Sequence, residues 1–156
     1  MSQLPEPRST RVEPDHFEVA LDDTVFDALL DSTFVICFYD AVQDTGALVH
    51  LRSGPPGRAQ DANLTDTTLS SDLLLIDRCL EQLRHTAPRA QHWQARLLAH
   101  VVPSSGAQAR FQGIRELLEG FLLDSGVTLV SCDISATAGQ QLCFRPAMGK
   151  AWISDG

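Results

Sequence analysis

The apolar positions of the chain change their period along its length, and those changes divide it into elements. Residues 34–39 are almost wholly apolar, β-branched or aromatic, the pattern of a strand buried on both faces. Residues 40–46 make a polar turn and residues 47–51 resume the apolar run, which predicts a hairpin with His50 near the end of its second strand. Leu69, Leu73, Ile76, Leu80 and Leu83 then recur at steps of four and three. That spacing predicts an amphipathic helix with a cap at Thr67, Thr68 or Ser70, Asp72 in its first turn and Pro88 at its exit. Residues 93–102 predict a strand, followed by a Pro103-Ser104-Ser105-Gly106 turn. A second helix is predicted over residues 110–124 from Ile114, Leu117, Leu118, Phe121 and Leu122, with Gly126 as its left-handed cap. Residues 127–132 predict a strand, and residues 141–145 and 150–153 a hairpin across Pro146-Ala147-Met148-Gly149.

The sum is α+β, two long helices packed on mostly antiparallel sheets. Residues 1–15, rich in Pro, Ser, Glu and Arg and without an apolar period, predict a flexible N-terminal extension. Residues 16–156 then form a single domain whose fold begins near Phe17, a size that needs neither disulfides nor metals. A net charge of −8 excludes non-specific attraction to nucleic acid or to anionic membrane, which requires clustered Lys and Arg. No segment approaches the roughly 20 apolar residues of a membrane span, and the N-terminus lacks an apolar signal core, so a cytoplasmic location is expected.

The polar residues add little chemistry by themselves. Cys37, Cys79, Cys132 and Cys143 are widely separated, without ligand spacing, and are expected as reduced, buried thiols; no metal or cofactor is expected. His85, His92 and His100 show no ligand spacing and are expected at surfaces or interfaces, and Trp93 and Trp152 in the core or at its rim. Residues 52–66, with Gly54-Pro55-Pro56-Gly57, form a loop too long for a simple connection.

One stretch carries more. Ser32, Val35, Cys37, Tyr39, Asp40, Gly46 and His50 follow the order G-S-C-V-x-V-C-x-Y-D, then G, then H, which resembles the CheD family of chemoreceptor glutamine deamidases. The likeness runs from about Val25 to Ile153, and Ala147-Met148-Gly149-Lys150 resembles the family's E-T-G-K ending. It implies the layered α-β-β sandwich of CheD and of the cytotoxic-necrotizing-factor-like cysteine hydrolases. In that chemistry a thiolate attacks a glutamine carboxamide, ammonia leaves, and hydrolysis of the thioester yields glutamate. The implied partners are the cytoplasmic helices of chemoreceptors or a CheC-like phosphatase.

The departures fall where that chemistry would sit. The nucleophile position is Thr33, seventeen residues before His50; the preceding glycine is Asp31, next to Ser32, and a helper threonine falls on Asp27. The family's glycine pairs fall near Ala99-His100 and on Ile134-Ser135 after Asp133, which implies a reshaped pocket. A threonine hydroxyl is a weak nucleophile without a strong positioned base. The expected site is therefore a degenerate one, His50 with Thr33, and deamidation lost or reduced. Deamidation by His50 with Thr33, Cys37 or water is the alternative, with Asp27 or Asp31 as a partner for the imidazole. A non-catalytic interaction module unrelated to chemotaxis, reading its partner through the 52–66 loop, is the third.

Overall fold

The structure is a computed structural model and describes residues 8–20, 23–31, 33–40, 42–51, 67–101, 103–135, 137 and 139–154. The 52–66 loop and Ser32 lie outside the described residues. The elements in chain order are β1 (Arg8–Arg11), β2 (His16–Val19), β3 (Thr24–Leu30), β4 (Phe34–Asp40), β5 (Thr45–Leu51), α1 (Thr67–Thr86), β6 (Gln94–His100), α2 (Ser105–Asp124), β7 (Thr128–Ser135), β8 (Gln140–Arg145), a short 3-10 turn (Pro146–Met148) and β9 (Lys150–Ser154). One sheet has the order β1-β3-β8-β9 and the other β2-β5-β4-β6-β7. Both are mixed: β1 runs parallel to β3 and β6 parallel to β7, and every other pair is antiparallel.

The period-2 geometry of β4 explains how these elements stack. Phe34, Ile36 and Phe38 face a core completed by Ile76, Leu80 and Leu83 of α1 and by Phe111, Ile114, Leu118 and Leu122 of α2. Val35, Cys37 and Tyr39 face the opposite core, which Phe26, Ala28 and Leu30 of β3 and Leu142 and Phe144 of β8 complete. The five-stranded sheet is thus sandwiched between the two helices and the four-stranded sheet. This is why residues 34–39 carry no polar face. The mixed α+β class with two long helices holds.

Three boundaries differ from the sequence pattern. Residues 8–11, assigned to a flexible extension, form β1, with Val12 buried behind it. Four residues with four polar side chains give no hydrophobic signal, and β1 is held by backbone pairing with β3. The second helix starts at Ser105 rather than near Arg110: the Ser104 side chain caps it by accepting the Ala107 N–H at 3.1 Å, so the expected turn is the helix entrance. Asp72 lies beyond the first turn of α1 and is buried. The end of α2 matches expectation. Gly126 has φ +81°, and the N–H groups of Val127 and Gly126 donate to Leu122 and Leu123 at 2.8 and 3.0 Å, with Val127 and Leu122 both buried.

Gly46 is fixed by close approach rather than by a turn. It lies opposite Tyr39, and a Cβ there would fall 2.1 Å from the Phe38 carbonyl oxygen and 3.0 Å from Pro146 Cβ. A backbone atom cannot swing aside as a side chain can. Gly46→Ala is expected to cost about 2–3 kcal/mol by forcing β4, β5 and the 3-10 turn apart, read as a lower chemical-denaturation midpoint at unchanged slope.

Candidate functional site

His50 is the penultimate residue of β5. Its neighbours Val49 and Leu51 point to the helices, so its imidazole points between the two sheets, where it is 1% exposed. Val35 lies opposite it on β4, and Thr33 stands two residues before Val35 where the chain passes from β3 to β4. The Thr33 carbonyl accepts the His100 N–H at 3.1 Å, extending the β4–β6 ladder by one step and fixing the backbone at position 33.

The side chains of Thr33 and His50 meet. His50 Nε2 is 2.8 Å from Thr33 Oγ1, and His50 Nδ1 is 2.8 Å from the Val12 carbonyl oxygen. A carbonyl oxygen can only accept, so Nδ1 carries the hydrogen and donates it to Val12. In the neutral ring Nε2 then keeps its lone pair and accepts the Thr33 hydroxyl hydrogen. Two longer contacts of 3.4 Å, from the Asp31 N–H and to the Leu29 carbonyl, complete the surroundings of Oγ1. The result is a hydroxyl, an imidazole and a backbone acceptor in line. Chemically, that arrangement can draw a proton from position 33 toward Nε2.

Asp27 is not part of it. Phe26, Ala28 and Leu30 face the inter-sheet core, so Asp27 projects from the opposite face of the four-stranded sheet, with β3 itself between its carboxylate and His50. There it accepts Arg11 Nε–H at 2.7 Å. Asp31 is exposed and reaches Thr33 through its backbone N–H. Cys37 shares the inter-sheet face with the pair but is fully buried, and burial pushes its thiol well above the ordinary value, which disfavours the thiolate that a substitute nucleophile needs.

Two participants were not legible as such in the sequence. Val12 contributes through its carbonyl, which carries no residue-type signature. His100, expected at a surface or interface, is 5% exposed; it lies across the ladder from Thr33 and on the inter-sheet face shared by Leu98. The available signal was its place two residues after Leu98 in the run 97–102, whose other residues are all apolar. His85 and His92 are exposed, Trp93 is buried in the helix-side core and Trp152 is 43% exposed on the edge strand β9. All four cysteines are free thiols; Cys79 is buried like Cys37, whereas Cys132 and Cys143 are half-buried rather than fully so.

The rest of the family-like stretch is architectural. Asp40 is fully buried, and its Oδ1 accepts the N–H groups of Val42 and Gln43 at 2.8 and 3.1 Å while Oδ2 accepts those of Gln91 and His92 at 3.1 and 2.9 Å. Tyr39 packs edge-on against Phe144 at 6.4 Å, lies under the Arg96 guanidinium at 5.5 Å and borders Gly149, whose φ is +61°. Two open clefts are lined by other residues: about 410 Å³ beside Asp23, Asp44 and Pro88, and about 690 Å³ beside Phe17, Arg78 and His85. Among the described residues no group of three or more His, Cys, Asp or Glu is placed to hold a metal ion. No described helix is long and apolar enough to cross a membrane.

No family model matches the chain, and no curated protein matches it. Its class is defined by structure alone, a mixed α+β domain with a buried threonine–histidine pair between its two sheets.

Proposed function

We propose that this chain is a divergent CheD-like chemotaxis protein that retains a surface for chemoreceptor cytoplasmic helices or a CheC-like phosphatase and has lost most or all glutamine deamidase activity. Such partners place it in the cytoplasm. The observation that carries the reading is the 2.8 Å contact between His50 Nε2 and Thr33 Oγ1. The two positions that the resemblance pairs as base and nucleophile are within hydrogen-bond reach, and the nucleophile is an alcohol. The three-layer stacking of helices, five-stranded sheet and four-stranded sheet supports the α-β-β sandwich that the resemblance implies.

The chemistry favours loss over altered catalysis. A thiol beside an imidazole ionises near neutral pH, whereas a threonine hydroxyl relies on its base in the transition state itself. Here that base and the hydroxyl are 1% and 7% exposed, so the described residues leave a receptor glutamine only a narrow approach to either. In this reading the pair is a buried clasp joining the start of β4, the end of β5 and the residue after β1. The competing reading, a working deamidase that uses Thr33, rests on the same hydrogen bond.

The two are separated with a chemoreceptor cytoplasmic fragment as substrate. Wild-type protein is expected to bind the fragment without releasing ammonia and without the one-dalton mass gain that marks conversion of glutamine to glutamate. Turnover by wild type that disappears in His50→Ala would overturn the inactive reading. Absence of binding to both the fragment and a CheC-like protein would leave the interaction module unrelated to chemotaxis.

A further inference from the structure

The segment between β1 and β2 is tied down at both ends. At one end Arg11 Nε donates to Asp27 Oδ1 at 2.7 Å and the Val12 N–H donates to the Asp27 carbonyl at 2.8 Å. At the other, the Asp15 N–H donates to the His50 carbonyl at 2.9 Å and His16 pairs with His50 in the β2–β5 ladder. The segment therefore crosses from the four-stranded to the five-stranded sheet directly over the imidazole. Val12, 2% exposed, is its buried first residue, and its carbonyl takes the Nδ1 hydrogen.

We infer that β1 and Val12 form the positioning element of the Thr33–His50 pair: the Val12 carbonyl selects the Nδ1–H tautomer, and the Arg11–Asp27 ion pair holds that carbonyl in place. Which ring nitrogen faces position 33 with a lone pair is set by the bond the other nitrogen makes, and at Nδ1 that bond is to a main-chain oxygen delivered by the N-terminal strand. Asp27, separated from the imidazole by its own strand, acts on it at one remove by anchoring Arg11 and Val12. An orienting acceptor of this kind governs reactivity strongly when the tautomer is wrong. The Arg11–Asp27 pair is one-sided, with side chains 48% and 12% exposed, so removal of Arg11 leaves a largely covered carboxylate without its cation and loosens the strand.

The tautomer claim rests on geometry alone; its consequence for reactivity rests on the CheD-like reading. In full-length wild-type protein, ¹⁵N NMR of His50 is expected to report a protonated Nδ1 and an unprotonated Nε2. Arg11→Met is expected to lose this single-tautomer signature while remaining folded by thermal melting, and Arg11→Lys to restore it. In a Thr33→Cys background, Arg11→Met should slow iodoacetamide alkylation of residue 33 about tenfold, again with rescue by Arg11→Lys. An Nε2-protonated His50 in the wild type overturns the inference, as does an unchanged His50 spectrum in folded Arg11→Met and folded Asp27→Ala alike. If Arg11→Met does not fold, the wild-type spectrum and Asp27→Ala decide. Wild-type protein that binds neither the receptor fragment nor a CheC-like protein, beside a His50 spectrum that changes in Arg11→Met, sinks the functional reading and leaves the positioning role standing.

Discussion

Replacing Thr33 by cysteine is expected to create one fast-reacting thiol in a chain whose own four thiols are slow. Burial raises the Cys37 and Cys79 thiols well above their ordinary value. Cys132 is raised chiefly by burial, with Asp133 and Glu119 adding to the effect against Arg115; Cys143 is raised by burial and then by Asp27. A sulfur at position 33 would instead face the lone pair of His50 Nε2, the environment that lowers a thiol from about 8.5 into the 3.5–7.5 range. At pH 7 its thiolate fraction would rise from a few per cent to about a quarter or more. Mass-resolved alkylation should thus label residue 33 at least about tenfold faster than Cys132, and His50→Ala should abolish the difference. Labelling of Thr33→Cys no faster than Cys132 would refute a poised site.

Deamidation itself asks for more than the sulfur. His100 stands across the ladder from Thr33, and directly opposed residues on a sheet face have Cβ atoms about 4.5–5.5 Å apart, so its imidazole crowds the space above position 33. Thr33→Cys alone is expected to label with a small alkylating reagent yet fail on a receptor fragment. Adding His100→Gly, the residue type that the resemblance places there, is expected to bring back the one-dalton mass gain. Turnover by the single variant would mean that position 33 was the only barrier; none in the double variant would assign the loss to the wider pocket.

The parts of this fold that were legible in the sequence are those that hydrophobic period alone dictates. β4, α1, α2 and β8 each bury a stripe or a whole strand, and the Gly126 cap announces itself because few other residues tolerate its backbone. β1 was not legible, since a four-residue strand of polar side chains is held by ladder bonds rather than by burial, and β2 was not, since Val19 is its one buried position and one position sets no period. The site divides in the same way. Thr33 and His50 could be paired because a sequence resemblance linked them across seventeen residues, but the third member is the Val12 carbonyl, which any residue could supply. Asp27 looked available to His50 until the alternation of β3 put its carboxylate on the other face. Cys37, Tyr39, Asp40 and Gly46, which carry much of the resemblance, act on packing and backbone geometry, so the likeness speaks to fold more than to chemistry.

Asp40 is where a substitution should cost the fold most. Asp40→Ala strands four N–H donors from two separate segments, the β4–β5 turn and the approach to β6, around a fully buried site. At about 1–3 kcal/mol for each donor left unsatisfied, with partial relaxation, a loss of about 4 kcal/mol is expected. Asp40→Asn keeps the shape, but turns an amide NH₂ toward one pair of donors, so it should fall between wild type and alanine. Acid unfolding gives an independent check. Burial pushes the Asp40 carboxyl upward, but the N–H groups of His92, Gln43, Val42 and Gln91 outweigh it and hold the carboxyl below its ordinary 3.8. Because the folded value is the lower one, the ionised carboxylate contributes its full stability above the unfolded value and loses it as pH falls from there through the folded value. Denaturation midpoints of the wild type should therefore drop more steeply below about pH 4 than those of Asp40→Asn, and the two curves should converge in acid. Parallel curves would show that the four donors hold the neutral acid as well as the carboxylate.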